Sequence, residues 1–133
     1  MKALASNITK TLEPGAELVC ADNSGAKKLE LIGVKGYKGI RRQRTNAGIS
    51  DKVTVRVKKG EQEMKKEVHD AVIIRQKKEF QRASGMRVKF EDNAAVIVEG
   101  DTNVPKANRI KGVVAKEVVE RYSPVGKIAS MVV

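Results

Sequence analysis

Four features of this chain could in principle do chemistry: a histidine, a cysteine, a pair of adjacent acids and a set of spaced glycines. None is arranged as catalysis requires. His69 is the sole histidine and falls inside a segment that reads as a strand, where a lone imidazole is more often a hydrogen-bonded structural residue than a base. Cys20 is the sole cysteine, within Glu17-Leu18-Val19-Cys20-Ala21, and reads as a small buried core residue. No intrachain disulfide can form, and no Cys/His set could hold zinc. A reduced, cytoplasmic setting fits. Glu91 and Asp92 are neighbours; in a strand they would point to opposite faces, so they read as turn formers rather than an acid/base pair. Gly33, Gly36 and Gly39 form G-x-x-G-x-x-G, which is not a dinucleotide fingerprint, and no helical pattern follows. An enzyme is poorly supported, and no cofactor or metal is expected.

The cations are patterned differently. Lys35, Lys38, Arg41, Arg42 and Arg44 fall within one segment that lacks apolar periodicity. Arg56, Lys58, Arg75, Lys77, Arg87 and Lys89 alternate along runs that read as strands, with Lys78 beside Lys77. Period-two alternation places such residues on the solvent face, and the planar fork of arginine suits phosphate. Lys plus Arg number 27 against 16 Asp plus Glu, a formal net charge of +11. A soluble domain this basic usually meets a polyanion, which is nucleic acid or, less often, an anionic membrane. The bland alternative is a solvated basic surface with no partner.

The excess is localised. Residues 1–26 carry a net charge of −1, residues 27–60 +9, residues 61–90 +3 and residues 91–133 zero. A binding face accounts for this asymmetry better than diffuse solubility charge. Contacts to several phosphates would make affinity fall by ~10³–10⁵ between about 50 and 200 mM salt. Aromatics are only 3% of the chain (Tyr37, Phe80, Phe90 and Tyr122, with no Trp), so base stacking cannot be the main mode. That disfavours a free-standing single-strand binder, such as a small-barrel RNA chaperone, and favours shaped, folded RNA held through its backbone.

The elements that must carry these residues read as one domain of 133 residues with an aliphatic core. Ala16 to Ala21 reads as a short strand, and Asp22-Asn23-Ser24-Gly25 as a turn into a second strand from Lys27 to Val34, with Leu29 and Leu31 on one face. Residues 35–50 read as a projecting arm or long loop. Asp51 to Lys59 is the cleanest strand, with Val53, Val55 and Val57 facing inward. Glu67 to Lys78 reads as another strand, and Met86 to Glu91 with Ala94 to Val98 as a tight hairpin about Asp92-Asn93. Turns about every ten residues suggest a small barrel or sandwich. Val113 to Arg121 has helical spacing, Ser123-Pro124 ends it or starts a second short helix, and the apolar tail from Lys127 packs back. The N-terminal residues do not look like a signal peptide, and no run approaches the ~20 apolar residues that span a bilayer.

Several stretches together carry a resemblance. They are Cys20-Ala21-Asp22-Asn23-Ser24-Gly25-Ala26-Lys27, Ala71-Val72-Ile73-Ile74-Arg75-Gln76-Lys77-Lys78, Val88-Lys89-Phe90-Glu91-Asp92-Asn93-Ala94-Ala95-Val96-Ile97-Val98 and Asn108-Arg109-Ile110-Lys111-Gly112-Val113-Val114-Ala115-Lys116-Glu117. In order and spacing they resemble the universal large-subunit ribosomal protein fourteen family. Glu67-Val68-His69-Asp70 and Gly126-Lys127-Ile128-Ala129-Ser130 resemble its archaeal and eukaryotic branch. The resemblance implies a mainly β fold: a five-stranded β-barrel (core roughly residues 16–100), a projecting β-ribbon and short C-terminal helices (roughly residues 108–133). It also implies binding to large-subunit rRNA, a bridge to small-subunit rRNA at the subunit interface, and contacts with neighbouring ribosomal proteins. In this branch the interface also receives an anti-association initiation factor, which places Asn108, Arg109 and Lys116 near a protein-contact face.

Overall fold

The computed structural model describes residues 2–133. Five strands close a barrel: β1 (Glu17–Cys20), β2 (Ala26–Val34), β3 (Lys52–Gly60), β4 (Val68–Arg75) and β7 (Ala94–Val98). Neighbouring strands around the ring are antiparallel, except that β1 and β7 meet in parallel, with Val19 opposite Ala94 and Cys20 opposite Ala95. Outside the ring lie a ribbon of β5 (Phe80–Gln81) and β6 (Arg87–Val88), and a parallel pair of β8 (Val113–Val114) and β9 (Met131–Val132). Two helices, α1 (Lys116–Arg121) and α2 (Ser123–Ile128), stand between β8 and β9. Pro124 sits in the first turn of α2, where its missing N–H would have had no helical partner.

Alternation sets which side chains enter the barrel. Leu18, Leu29, Leu31, Val53, Val55, Val57, Ala71, Ile73, Ala95 and Ile97 fill its interior. Strands β4 and β7 are apolar on both faces because both faces are covered. Their outward residues Val72, Ile74, Ala94, Val96 and Val98 form a second cluster with Phe80, Ile110, Val114, Val118 and Val125. Continuous apolar runs such as Ala71–Ile74 are what a doubly buried strand requires. Each of Val53, Val55 and Val57 is fully buried, while the alternating Arg56 and Lys58 are exposed. Single Val→Ala changes at these three positions are expected to cost about 1–3 kcal/mol each, read as a lower denaturant midpoint.

The structure corrects four expectations. Residues 86–91 do not form a hairpin with Ala94–Val98. Both edges of β7 are occupied by β1 and β4, so only Arg87–Val88 pairs, and it pairs locally with Phe80–Gln81. The strand expected to run to Lys78 ends at Arg75, where a bulge breaks its register with β7. The helix expected from Val113 begins at Lys116, since Val113 and Val114 pair with β9 and the Val133 carbonyl accepts the Lys116 amide at 3.0 Å. The arm is also shorter than residues 35–50. Ala47 to Ser50 are buried, Ala47 exchanges backbone hydrogen bonds with Leu12, and Ser50 N–H donates to the Ile73 carbonyl.

Candidate nucleic-acid interface

The arm leaves the barrel where β2 ends and returns where β3 begins. Its outgoing foot is held by Lys35 N–H donating to the Lys52 carbonyl at 2.9 Å. From Lys35 to Arg44 every residue is exposed, because the segment has no apolar periodicity with which to reach the core. Among the described residues the side chains of Lys38, Arg41 and Arg42 have no hydrogen-bond or carboxylate partner. The flanking cations are paired: Lys35 Nζ lies 3.4 Å from Asp70, and Arg44 Nη1 lies 3.0 Å from Glu13. Ile40, at the tip, is 82% exposed.

On the outer face of β1–β3 the alternation places Arg56 and Lys58 outward as expected, but among carboxylates. Arg56 lies 2.5 Å from its cross-strand partner Glu30. Lys58 and Lys28 flank Glu17 at 3.5 and 2.9 Å. The Glu17 carboxyl is held below the ordinary carboxylate range, first by the hydrogen bond and charge of Lys28 and then by Lys58. This patch is a cross-strand charge ladder with its positive charge largely balanced. It is a weaker phosphate site than the unpaired arm.

A third group lies beyond β4. Lys77, Lys78, Arg87 and Lys89 are all exposed. Lys77 and Lys89 line one surface depression with Phe90 and Glu91. Lys78 is drawn to Glu79 at 3.1 Å, whose carboxyl is lowered by its own backbone hydrogen bond and then by Lys78, with a smaller contribution from Arg87.

Arg75 does not belong to this surface. The bulge that ends β4 sets Arg75, two residues past Ile73, opposite Ala94, only one residue from Ala95, and the side chain turns inward. Arg75 is 8% exposed. Its guanidinium donates to both Asp92 carboxylate oxygens at 2.8 and 3.2 Å, and to the carbonyls of Lys111 and Val113 at 3.1 and 2.9 Å. Gly112 makes room for it, since a Cβ there would lie 2.5 Å from Nη1. This arginine staples the C-terminal layer to the barrel, and four of its five N–H donors are already used within the protein. Asp92 lies in the bend before β7, as expected of a turn former, and is in addition the partner of this buried arginine.

The expected protein-contact residues Asn108, Arg109 and Lys116 are exposed. Asn108 Oδ1 accepts from Asn23 Nδ2 at 2.8 Å, and the Lys111 amide donates to the Ala21 carbonyl. The segment is therefore tied to the turn after β1. Arg109 and Lys116 lie on either side of the buried Ile110 and Val114. Elsewhere, His69 Nε2 lies 2.8 Å from Glu67, and burial pushes the Cys20 thiol up to about 12. Among the described residues no group of three or more His, Cys, Asp or Glu could hold a metal ion, and no helix is long and apolar enough to cross a membrane.

Reasoning from charge alone passed over Tyr37. Its hydroxyl donates to the Arg44 carbonyl at 3.0 Å, and its ring covers Gly39. The signal was a tyrosine two residues before a glycine in a basic loop.

A family model described as ribosomal protein L14p/L23e matches residues 11–133. The chain is 54% identical over 132 residues to "Large ribosomal subunit protein uL14" of Methanococcus vannielii, covering 99% of each chain. It is 50% identical to the protein of that name from Methanothrix thermoacetophila and 48% identical to the one from Halorubrum lacusprofundi, covering 100% of each chain in both cases. A closed five-stranded barrel with two short C-terminal helices, full-length similarity to archaeal relatives and the family match agree: the chain belongs to the ribosomal protein L14p/L23e family, structural constituents of the large ribosomal subunit.

Proposed function

We propose that this protein binds large-subunit rRNA through the arm cations Lys38, Arg41 and Arg42, supported by Lys77, Arg87 and Lys89. The observation that carries this reading is the exposure of the three arm cations without a protein carboxylate. A cation already paired must give up its partner before it can take a phosphate, and an unpaired one need not. Lys35, Arg44, Arg56, Lys58 and Lys78 accordingly contribute less per residue, despite similar exposure. Two apolar clusters share β4 and β7, which supports reading the chain as one domain that offers these cations on a rigid support.

The protein lies at the subunit interface, contributes to a bridge to small-subunit rRNA and touches neighbouring ribosomal proteins in the cytoplasm. Its Asn108–Lys116 face receives an anti-association initiation factor. Support for the protein-contact face comes from exposed Asn108, Arg109 and Lys116 on the C-terminal third, where net charge is zero. A neutral surface suits protein better than phosphate.

The test is a salt series. Binding to large-subunit rRNA is measured for the parent chain and for a variant with Lys38, Arg41 and Arg42 changed to Ala. The slope of log affinity against log salt is expected to become shallower by roughly 2–3, since each lost phosphate contact removes about 0.7–0.9. The variant is also expected to leave large subunits at lower salt in a sedimentation gradient. An unaltered slope would mean that the arm does not touch phosphate.

A further inference from the structure

The arm is exposed along its length, yet it is closed on itself. Tyr37 Oη donates to the Arg44 carbonyl at 3.0 Å, joining residues seven apart. The tyrosine ring lies so near Gly39 that a Cβ at that position would fall 2.2 Å from Cε1. Inside the loop so closed, Arg42 holds a left-handed φ of 68°, a conformation that non-glycine residues keep only where their surroundings enforce it. Both feet are fixed as well. Lys35 N–H donates to Lys52, Ala47 pairs with Leu12, and Arg44 reaches Glu13. Tyr37 thus spans the gap between two anchored ends, and Lys38, Arg41 and Arg42 project from the segment it closes.

We infer that Tyr37 is a positioning residue for rRNA binding: its ring on Gly39 and its hydroxyl on the Arg44 carbonyl hold the arm cations in their binding arrangement before RNA is met. The inference rests on the rRNA-binding reading above. A basic loop with no core contacts would otherwise lose its backbone freedom on docking, at a cost for every residue ordered. Closing the loop in the free protein removes that cost from binding. Tyr37 adds no charge of its own, so its contribution is separable from that of the cations: the lock governs affinity at every salt concentration, and the cations govern the slope.

The experiment measures affinity for in vitro transcribed large-subunit rRNA across a salt series, using the full chain and the variants Tyr37→Phe, Tyr37→Ala, Gly39→Ala and the double variant Tyr37→Ala/Gly39→Ala. Tyr37→Phe loses only the hydroxyl contact and is expected to bind roughly two- to tenfold more weakly. Tyr37→Ala is expected to bind at least roughly tenfold more weakly, through the added loss of preorganisation. Salt slopes and melting temperatures should match the parent, because no cation and no core residue is altered. Gly39→Ala drives the ring off its seat and should match Tyr37→Ala, while the double variant should bind no worse than either single one.

Parent-like binding by Tyr37→Phe and Tyr37→Ala would overturn the lock, as would losses that add in the double variant. In either case the rRNA reading stands if Lys38/Arg41/Arg42→Ala still flattens the slope. A slope unchanged in that triple variant would overturn both.

Discussion

Arg82→Ala is expected to destabilise the fold by about 3–5 kcal/mol, the cost of leaving a buried carboxylate without its counter-ion. Glu117 is fully buried in the first turn of α1. Arg82, from the turn between β5 and β6, reaches both its carboxylate oxygens at 2.8 and 3.3 Å. The same guanidinium donates to the Val133 carbonyl at 2.7 Å and lies 5.6 Å from the centre of the Phe80 ring. Ser6 Oγ adds a third contact to Glu117 at 3.0 Å. One ion pair thus joins the N-terminal segment, the β5–β6 ribbon, the first helix and the chain end. Chemical denaturation of Arg82→Ala should show a large fall in midpoint. The paired replacement Arg82→Met/Glu117→Leu should recover most of it, because two apolar groups leave no stranded charge. A double variant as unstable as the single one would show that packing, and not the uncompensated charge, sets the cost.

Asp22→Ala is expected to cost about 2–4 kcal/mol, for a reason that lies at the barrel seam. β1 ends at Cys20 and pairs with β7 only as far as Ala95. The Ala21 amide still donates to the Ala95 carbonyl at 3.0 Å, but no backbone carbonyl of β1 follows to accept from Ile97. Asp22 Oδ2 takes that place at 3.0 Å, while Oδ1 accepts from the Ser24 amide and hydroxyl and from Cys20 Sγ. Truncation strands the Ile97 amide and dissolves the turn. Each buried donor left without a partner costs about 1–3 kcal/mol. Hydrogen exchange should find the Ile97 amide among the most protected in the parent and markedly faster in Asp22→Ala. An Ile97 amide equally protected in both would show that another acceptor serves it.

Asp22 also illustrates how much of the molecule can be read from its residues. The turn Asp22-Asn23-Ser24-Gly25 was legible from composition, because it depends on local hydrogen bonding. That the same carboxylate completes a strand 75 positions further along the chain was not, because only tertiary structure brings Ile97 there. The valines of β3 were legible because one face is wet and one dry, and period two reports that contrast directly. β4 and β7 lack the contrast, being buried on both faces, so their partners could not be assigned from pattern. The hairpin expected at Asp92-Asn93 failed for that reason.

The candidate interface divides in the same way. Exposure of the arm followed from its lack of any core-facing period. Arg75 has the same residue type and spacing as its exposed neighbours, and only the bulge after Ile73 turns it inward. Which cations carry carboxylate partners was equally invisible, since Glu13, Glu17, Glu30 and Asp70 reach them across strands and loops.

The parallel join of β1 to β7 has a consequence for how the molecule is made. Synthesis delivers β1 early and β7 only after residue 94, so four strands emerge as an open sheet with both edges unpaired. Pairings between such distant segments are the slow ones in folding, and unpaired edges recruit other chains. The arm, at residues 35–44, leaves the synthesising ribosome well before the ring can shut. The most basic stretch of the chain, residues 27–60, is therefore made before the strand that closes the barrel. The last turn of closure waits for the strand that Asp22 will hold in place.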